Sequence, residues 1–165
     1  MSKLDNFFSK QNEIKRQQTS SSLRRENKSE DRREFMEFKI RQYRPVFEFI
    51  ERNLLLAKRK LHSNGIYCEM IPLKLNDPEL HLPVEHHFAL AGFTRKSATS
   101  ALPFISPSTY MKYPNIQIRV NVEKDSVYVM INDLKSEEVR RLPDPNDVTE
   151  EAVEEYVLKI LQSVL

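Results

Sequence analysis

The stretch Ile116-Gln117-Ile118-Arg119-Val120-Asn121-Val122-Glu123-Lys124-Asp125-Ser126-Val127-Tyr128-Val129-Met130-Ile131 decides the fold. Ile116, Ile118, Val120 and Val122 alternate with polar residues, and Val127, Val129 and Ile131 resume the alternation beyond Lys124-Asp125. Successive side chains on a strand point to opposite faces, so a period of two gives each run one apolar row. The polar pair between the runs turns the chain back. An antiparallel hairpin, half-buried on one face, is therefore predicted.

Working outward, Ile66–Leu75 and Glu85–Thr94 read as two further strands, separated by the turn signal Asn76-Asp77-Pro78. Pro72 cannot donate to a sheet ladder and places its strand at an edge or a bulge. Glu138–Leu142 adds a short edge strand before Pro143 and Pro145. Past them the period lengthens. Val153, Tyr156, Val157, Ile160, Leu161 and Val164 form one helical stripe. Thr149 is placed to cap that helix, Val148 to staple against Val153, and Glu150, Glu151, Glu154 and Glu155 suit the positive end of its dipole.

Upstream of the strands, Phe35, Phe38, Tyr43, Val46, Phe47, Ile50, Leu54, Ala57 and Leu61 recur mostly at steps of three and four, which predicts an amphipathic helix. Ser29 is the expected N-cap and Asn64-Gly65 the stop. Pro45 removes one backbone donor inside the pattern and is expected to kink or split the helix. Residues 9–30 are rich in Ser, Gln, Asn, Lys and Arg and offer only Ile14 and Leu23 for burial. Such a segment is expected to be disordered or a loose solvated helix. The chain thus reads as α+β: a long, kinked N-terminal helix, a four- to five-stranded antiparallel meander, and a C-terminal helix with both helices on one face. Residues 1–29 form a flexible basic arm and residues 30–165 a single domain.

Composition narrows the function classes. Two glycines among 165 residues argue against Gly-rich phosphate loops. A single cysteine, Cys68, excludes an internal disulfide framework and any cysteine-based zinc site. No apolar run approaches the ~18 residues of a membrane span, and no apolar signal-peptide core precedes the domain. An intracellular protein is expected, cytoplasmic, or nuclear in a eukaryote. Net charge is +2, but residues 1–62 carry +7, residues 63–122 carry +1 and residues 123–165 carry −6. The segregation either pairs internally, basic helix beside acidic helix, or leaves a basic arm for phosphate or an acidic partner.

Leu4, Phe7 and Phe8 stand at i, i+3 and i+4, so one helical turn gathers them into a plug. Exposed paired phenylalanines on a polar segment are costly unless something receives them. The stretch Met1-Ser2-Lys3-Leu4-Asp5-Asn6-Phe7-Phe8-Ser9-Lys10 resembles the sliding-clamp-binding peptide of replication and repair proteins, with an aliphatic residue, two others, then two aromatics beside basic residues. It departs from that family at Met1, where glutamine is usual. The resemblance covers about ten residues and implies a protein groove as receptor. The other reading is that the plug docks on the protein's own sheet or on a twin subunit.

Three further groups of residues are conspicuous. Arg24, Arg25, Arg32, Arg33, Lys58, Arg59 and Lys60 are candidates for phosphate or nucleic acid. The twenty-residue connection Arg95–Pro114 is long enough to be functional, with Arg95, Lys96 and Phe104 as its candidate site residues. His81, Glu85, His86 and His87 invite a metal, but His86 and His87 point to opposite faces of a strand, so no metal ligand set is assigned. No serine sits in a nucleophile elbow and no triad order emerges. The sequence calls for no cofactor and no catalytic residue. The leading expectation is a non-catalytic binding or adaptor protein that engages a protein partner through its N-terminal arm. The alternatives are nucleic-acid binding by the basic half, and a small enzyme or ligand-binding protein with a site under the 95–114 loop. A homodimer stays open, and no membrane association is expected.

Overall fold

The computed structural model describes residues 2–95 and 110–165. Helix α1 (Lys3–Ser63) leads into strands β1 (Tyr67–Asn76), β2 (Pro83–Thr94), β3 (Asn115–Asn121), β4 (Ser126–Asn132) and β5 (Glu137–Leu142), and helix α2 (Glu150–Val164) follows. The strands pair antiparallel in chain order, β1-β2-β3-β4-β5. The protein is α+β, and Pro72 lies on an edge strand. Among the described residues, no helix is long and apolar enough to cross a membrane.

The first helix departs from the expectation. It does not start at Ser29 and is not split at Pro45; it runs unbroken from Lys3 to Ser63. Its N-terminus is a capping box: the Asp5 amide donates to Ser2 Oγ at 3.2 Å, and the Ser2 amide donates to Asp5 Oδ2 at 3.1 Å. Residues 9–30 lack an apolar stripe but also lack glycine and proline, and their Lys, Arg, Gln and Glu are good helix formers. Hydrophobic period and helix propensity are separate signals, and here only the second is present. The far end closes as a Schellman motif at Gly65, whose φ is 75°. The Ile66 amide donates to Leu61 O at 2.9 Å and the Gly65 amide to His62 O at 3.1 Å.

Both helices cover one face of the sheet. Ile50, Leu54, Ala57 and Leu61 of α1 meet Val153, Tyr156, Val157 and Ile160 of α2 over the inward rows of the sheet, including Leu90, Ile118 and Val129. Val148, just before α2, belongs to the same core, and the Asn53 side-chain amide donates to its carbonyl at 2.8 Å. A bulge near the end of β2 alters the alternation. Tyr67 pairs Thr94 while Glu69 pairs Ala91, so β2 carries one extra residue. Gly92 takes φ 114°, a conformation natural to glycine, and Phe93 enters the core at 1% exposure.

Candidate functional site

Arg32 marks where α1 meets the rest of the molecule. Its guanidinium reaches Asp77 at 2.9 Å, Glu79 at 3.2 Å and Glu123 at 2.8 Å, gathering the β1–β2 and β3–β4 turns onto one side chain. Lys39 and Tyr43 repeat the attachment on Asp125, at 2.6 and 2.7 Å. Met36 buries against Leu80 and Val122 between them. Residues 3–31, on the other side of Arg32, extend the helix by roughly 43 Å at 1.5 Å per residue. Among the described residues of that arm, none has a side chain bonded to the sheet.

The plug residues lie at the far end of the arm. Leu4 is 67%, Phe7 55% and Phe8 59% exposed, and the two rings meet edge to face with centroids 5.6 Å apart. Ile14 is also exposed. Lys3 and Lys10 stand beside the plug, and Lys15, Arg16, Arg24 and Lys28 follow along the arm, all exposed. None of these six cations forms an ion pair among the described residues. The result is an apolar tip on a basic rod, about 40 Å from the core.

The other candidate cations do not converge. Arg33 pairs with Glu37 on its own helix at 3.1 Å, and Lys58 with Glu69 on β1 at 3.3 Å. Lys60 holds Glu150 at 2.7 Å and also Glu154, which raises its affinity for its proton. Arg24 and Arg59 are exposed, while the Arg25 side chain is outside the described residues. Lys58-Arg59-Lys60 stands about 39 Å along the helix from Arg32-Arg33. Arg95 is exposed beyond the end of β2, and Lys96 and Phe104 lie outside the described residues.

The sheet face away from the helices carries, beside His87, the polar residues Asn115, Gln117, Arg119, Tyr128 and Arg141, none of them a site candidate from the sequence. Leu73, His87, Arg119, Tyr128 and Arg141 stand in register across all five strands. The Arg119 Nε and Nη2 donate to Gln117 Oε1 at 3.1 and 2.8 Å, and Gln117 Nε2 reaches Asn115 Oδ1 at 2.9 Å and Met111 Sδ at 3.0 Å. Neither Arg119 nor Arg141 meets a carboxylate among the described residues. His87 Nε2 lies 2.7 Å from Glu85 Oε1, and its buried Nδ1 has no hydrogen-bond partner among the described residues. His86 points the other way and stacks on Phe47 with centroids 3.8 Å apart. Strand alternation thus separates the two histidines, and among the described residues no group of three or more His, Cys, Asp or Glu converges as a metal site would. Cys68 is fully buried, and burial pushes its thiol up to about 12, far from the range of a reactive thiolate.

Comparison with protein families, with curated proteins and with solved structures found nothing that matches the chain.

Proposed function

We propose that the protein is a non-catalytic binding protein that engages a protein partner through the arm of α1, with Leu4, Phe7 and Phe8 as anchors. The observation that carries this reading is the position of the plug: three large apolar side chains held on one helical turn, remote from the core, at the end of an arm whose cations form no ion pair among the described residues. Exposed aromatics of this kind are retained at a cost in solubility, which a receptor groove offsets. Fixed on a helix, they lose little conformational freedom on docking, and preorganised anchors of this type dominate binding energy. The arm cations add an attraction to acidic surfaces that salt weakens. The resemblance to sliding-clamp-binding peptides names one such receptor class.

The test compares capture of partners from extracts of the source cells by the full chain and by a Leu4→Ala/Phe7→Ala/Phe8→Ala variant. The variant is expected to lose the partner and to keep the melting temperature of a dilute, monomeric sample. A melting temperature lower by several degrees would mean that the plug is part of the protein's own core. Equal capture by both proteins would remove the arm from the account.

A second reading rests on the outward sheet face. Arg119 and Arg141 flank the exposed Tyr128, and this row of two cations and an aromatic ring suits a phosphate-bearing ligand. Protection against thermal unfolding by inorganic phosphate or a nucleotide, lost in Arg119→Ala, would support it. No shift across such ligands would set it aside.

A further inference from the structure

An apolar groove of about 360 Å³ opens between the end of α1 and α2, lined by Ala57, Leu61, Ile66, Val157, Leu158 and Leu161. Leu158 is 55% exposed there, with Lys60 and Glu154 at the rim. The chain's own plug cannot fill it. Leu4 and Ala57 belong to one unbroken helix and stand about 80 Å apart along its axis. A second copy has no such constraint. Resting on the reading of the arm as the docking element, we propose that its receptor is a second copy of this chain: the two α1 helices lie antiparallel about a two-fold axis, and each plug seats in the other's groove.

Three observations converge on this arrangement. The first is length. The arm, residues 3–31, measures roughly 43 Å, and the embedded part of α1, residues 32–63, measures about 48 Å. An arm laid along its partner's embedded segment therefore brings the plug to the groove at that segment's far end. The two-fold axis makes both contacts at once, as an isologous interface requires. The second is the surface that the arm would cover. Phe35 and Phe38 are 57% and 52% exposed on α1, an apolar strip more than half open to solvent, with Lys39 of the same helix 5.6 Å from the Phe35 ring centroid. The third is charge: residues 1–29 carry +4 and residues 123–165 carry −6, and beside the groove Glu150 and Glu154 share the one cation Lys60 while Glu151 forms no ion pair among the described residues. Two arms about 43 Å long and roughly 10 Å wide, each covering an equal strip of its partner, bury on the order of 1,700 Å² in total, the size of a standard specific interface.

The test is site-directed cross-linking in the full chain. Lys3→Cys, adjoining Leu4 of the plug, and Leu158→Cys, in the groove, are made as separate variants, mixed, and bridged with a short bis-maleimide. Covalent heterodimer is expected. A control mixture of Lys3→Cys with Lys124→Cys is expected to give none, because Lys124 adjoins Asp125, which holds Lys39 of α1, about 27 Å along the helix from the groove. Absence of the first product, or equal yield in both mixtures, overturns the second-copy proposal. Partner capture then separates the two ideas. If the full chain still takes a partner that the Leu4→Ala/Phe7→Ala/Phe8→Ala variant loses, the arm remains a docking element with another receptor. If capture is equal, both fall.

Discussion

His86 shows how one buried side chain couples this fold to pH. It is 6% exposed, stacked on Phe47, and its Nε2 has no hydrogen-bond partner among the described residues. Burial is the main cause that pushes its pKa down to about 4, with Lys74 adding to the effect. In the unfolded chain the imidazole titrates near 6.5, so between about pH 6.5 and 4 the unfolded state binds more protons. This contribution to stability is complete above pH 6.5 and is lost as pH falls toward 4, at no more than about 1.4 kcal/mol per pH unit. His86→Phe keeps the ring stack and removes the titration. Its melting temperature is expected to stay nearly level from pH 7 to about 5 while that of the natural protein drops; parallel profiles would contradict this origin. Alternation along the strand already separates His86 from His87, but the Phe47 ring that buries His86 comes from another element and has no signal in the local sequence.

At the scale of elements, legibility follows the hydrophobic period. The β3–β4 hairpin and α2 have clean periods, and both formed where the alternation or the stripe placed them. Helix α1 was legible only over its embedded part, where Ile50, Leu54, Ala57 and Leu61 face the sheet. Its arm has no buried face to announce it. Ser29 looked like a cap because a polar residue precedes the apolar stripe, whereas the helix had begun twenty-seven residues earlier, at the Ser2 box. The bulge at Gly92-Phe93 was equally silent, since it is defined by register with β1. Arg32 is the joint between the two parts of α1. Arg32→Ala removes the contacts to Asp77, Glu79 and Glu123 while leaving the core intact. Hydrogen exchange is expected to quicken in the helix around residue 32 and to stay unchanged in β2 and β3. Uniform quickening across the sheet would mean that Arg32 holds the whole domain.

For the whole molecule, the charge segregation of the sequence resolves into two parts. Some of the basic helix pairs internally, through Arg32, Lys39, Lys58 and Lys60, each bound to carboxylates of the sheet or of α2. The described cations of the arm form no ion pair among the described residues. Charge sums along the chain could not make this division, which depends on where α1 leaves the sheet. Nor could they reveal the α1–α2 groove, whose walls are separated by ninety or more residues. The plug was legible because i, i+3, i+4 spacing needs only local geometry. The most direct test of the account is sedimentation equilibrium of the full chain and of Leu4→Ala/Phe7→Ala/Phe8→Ala across the micromolar range, at low and high salt. The account predicts a natural-sequence dimer that salt loosens. In the triple variant, association should weaken by roughly a hundredfold or more, with the melting temperature of a dilute, monomeric sample unchanged. A natural protein that stays monomeric throughout, or a variant that dimerises as well as the natural chain, would contradict it.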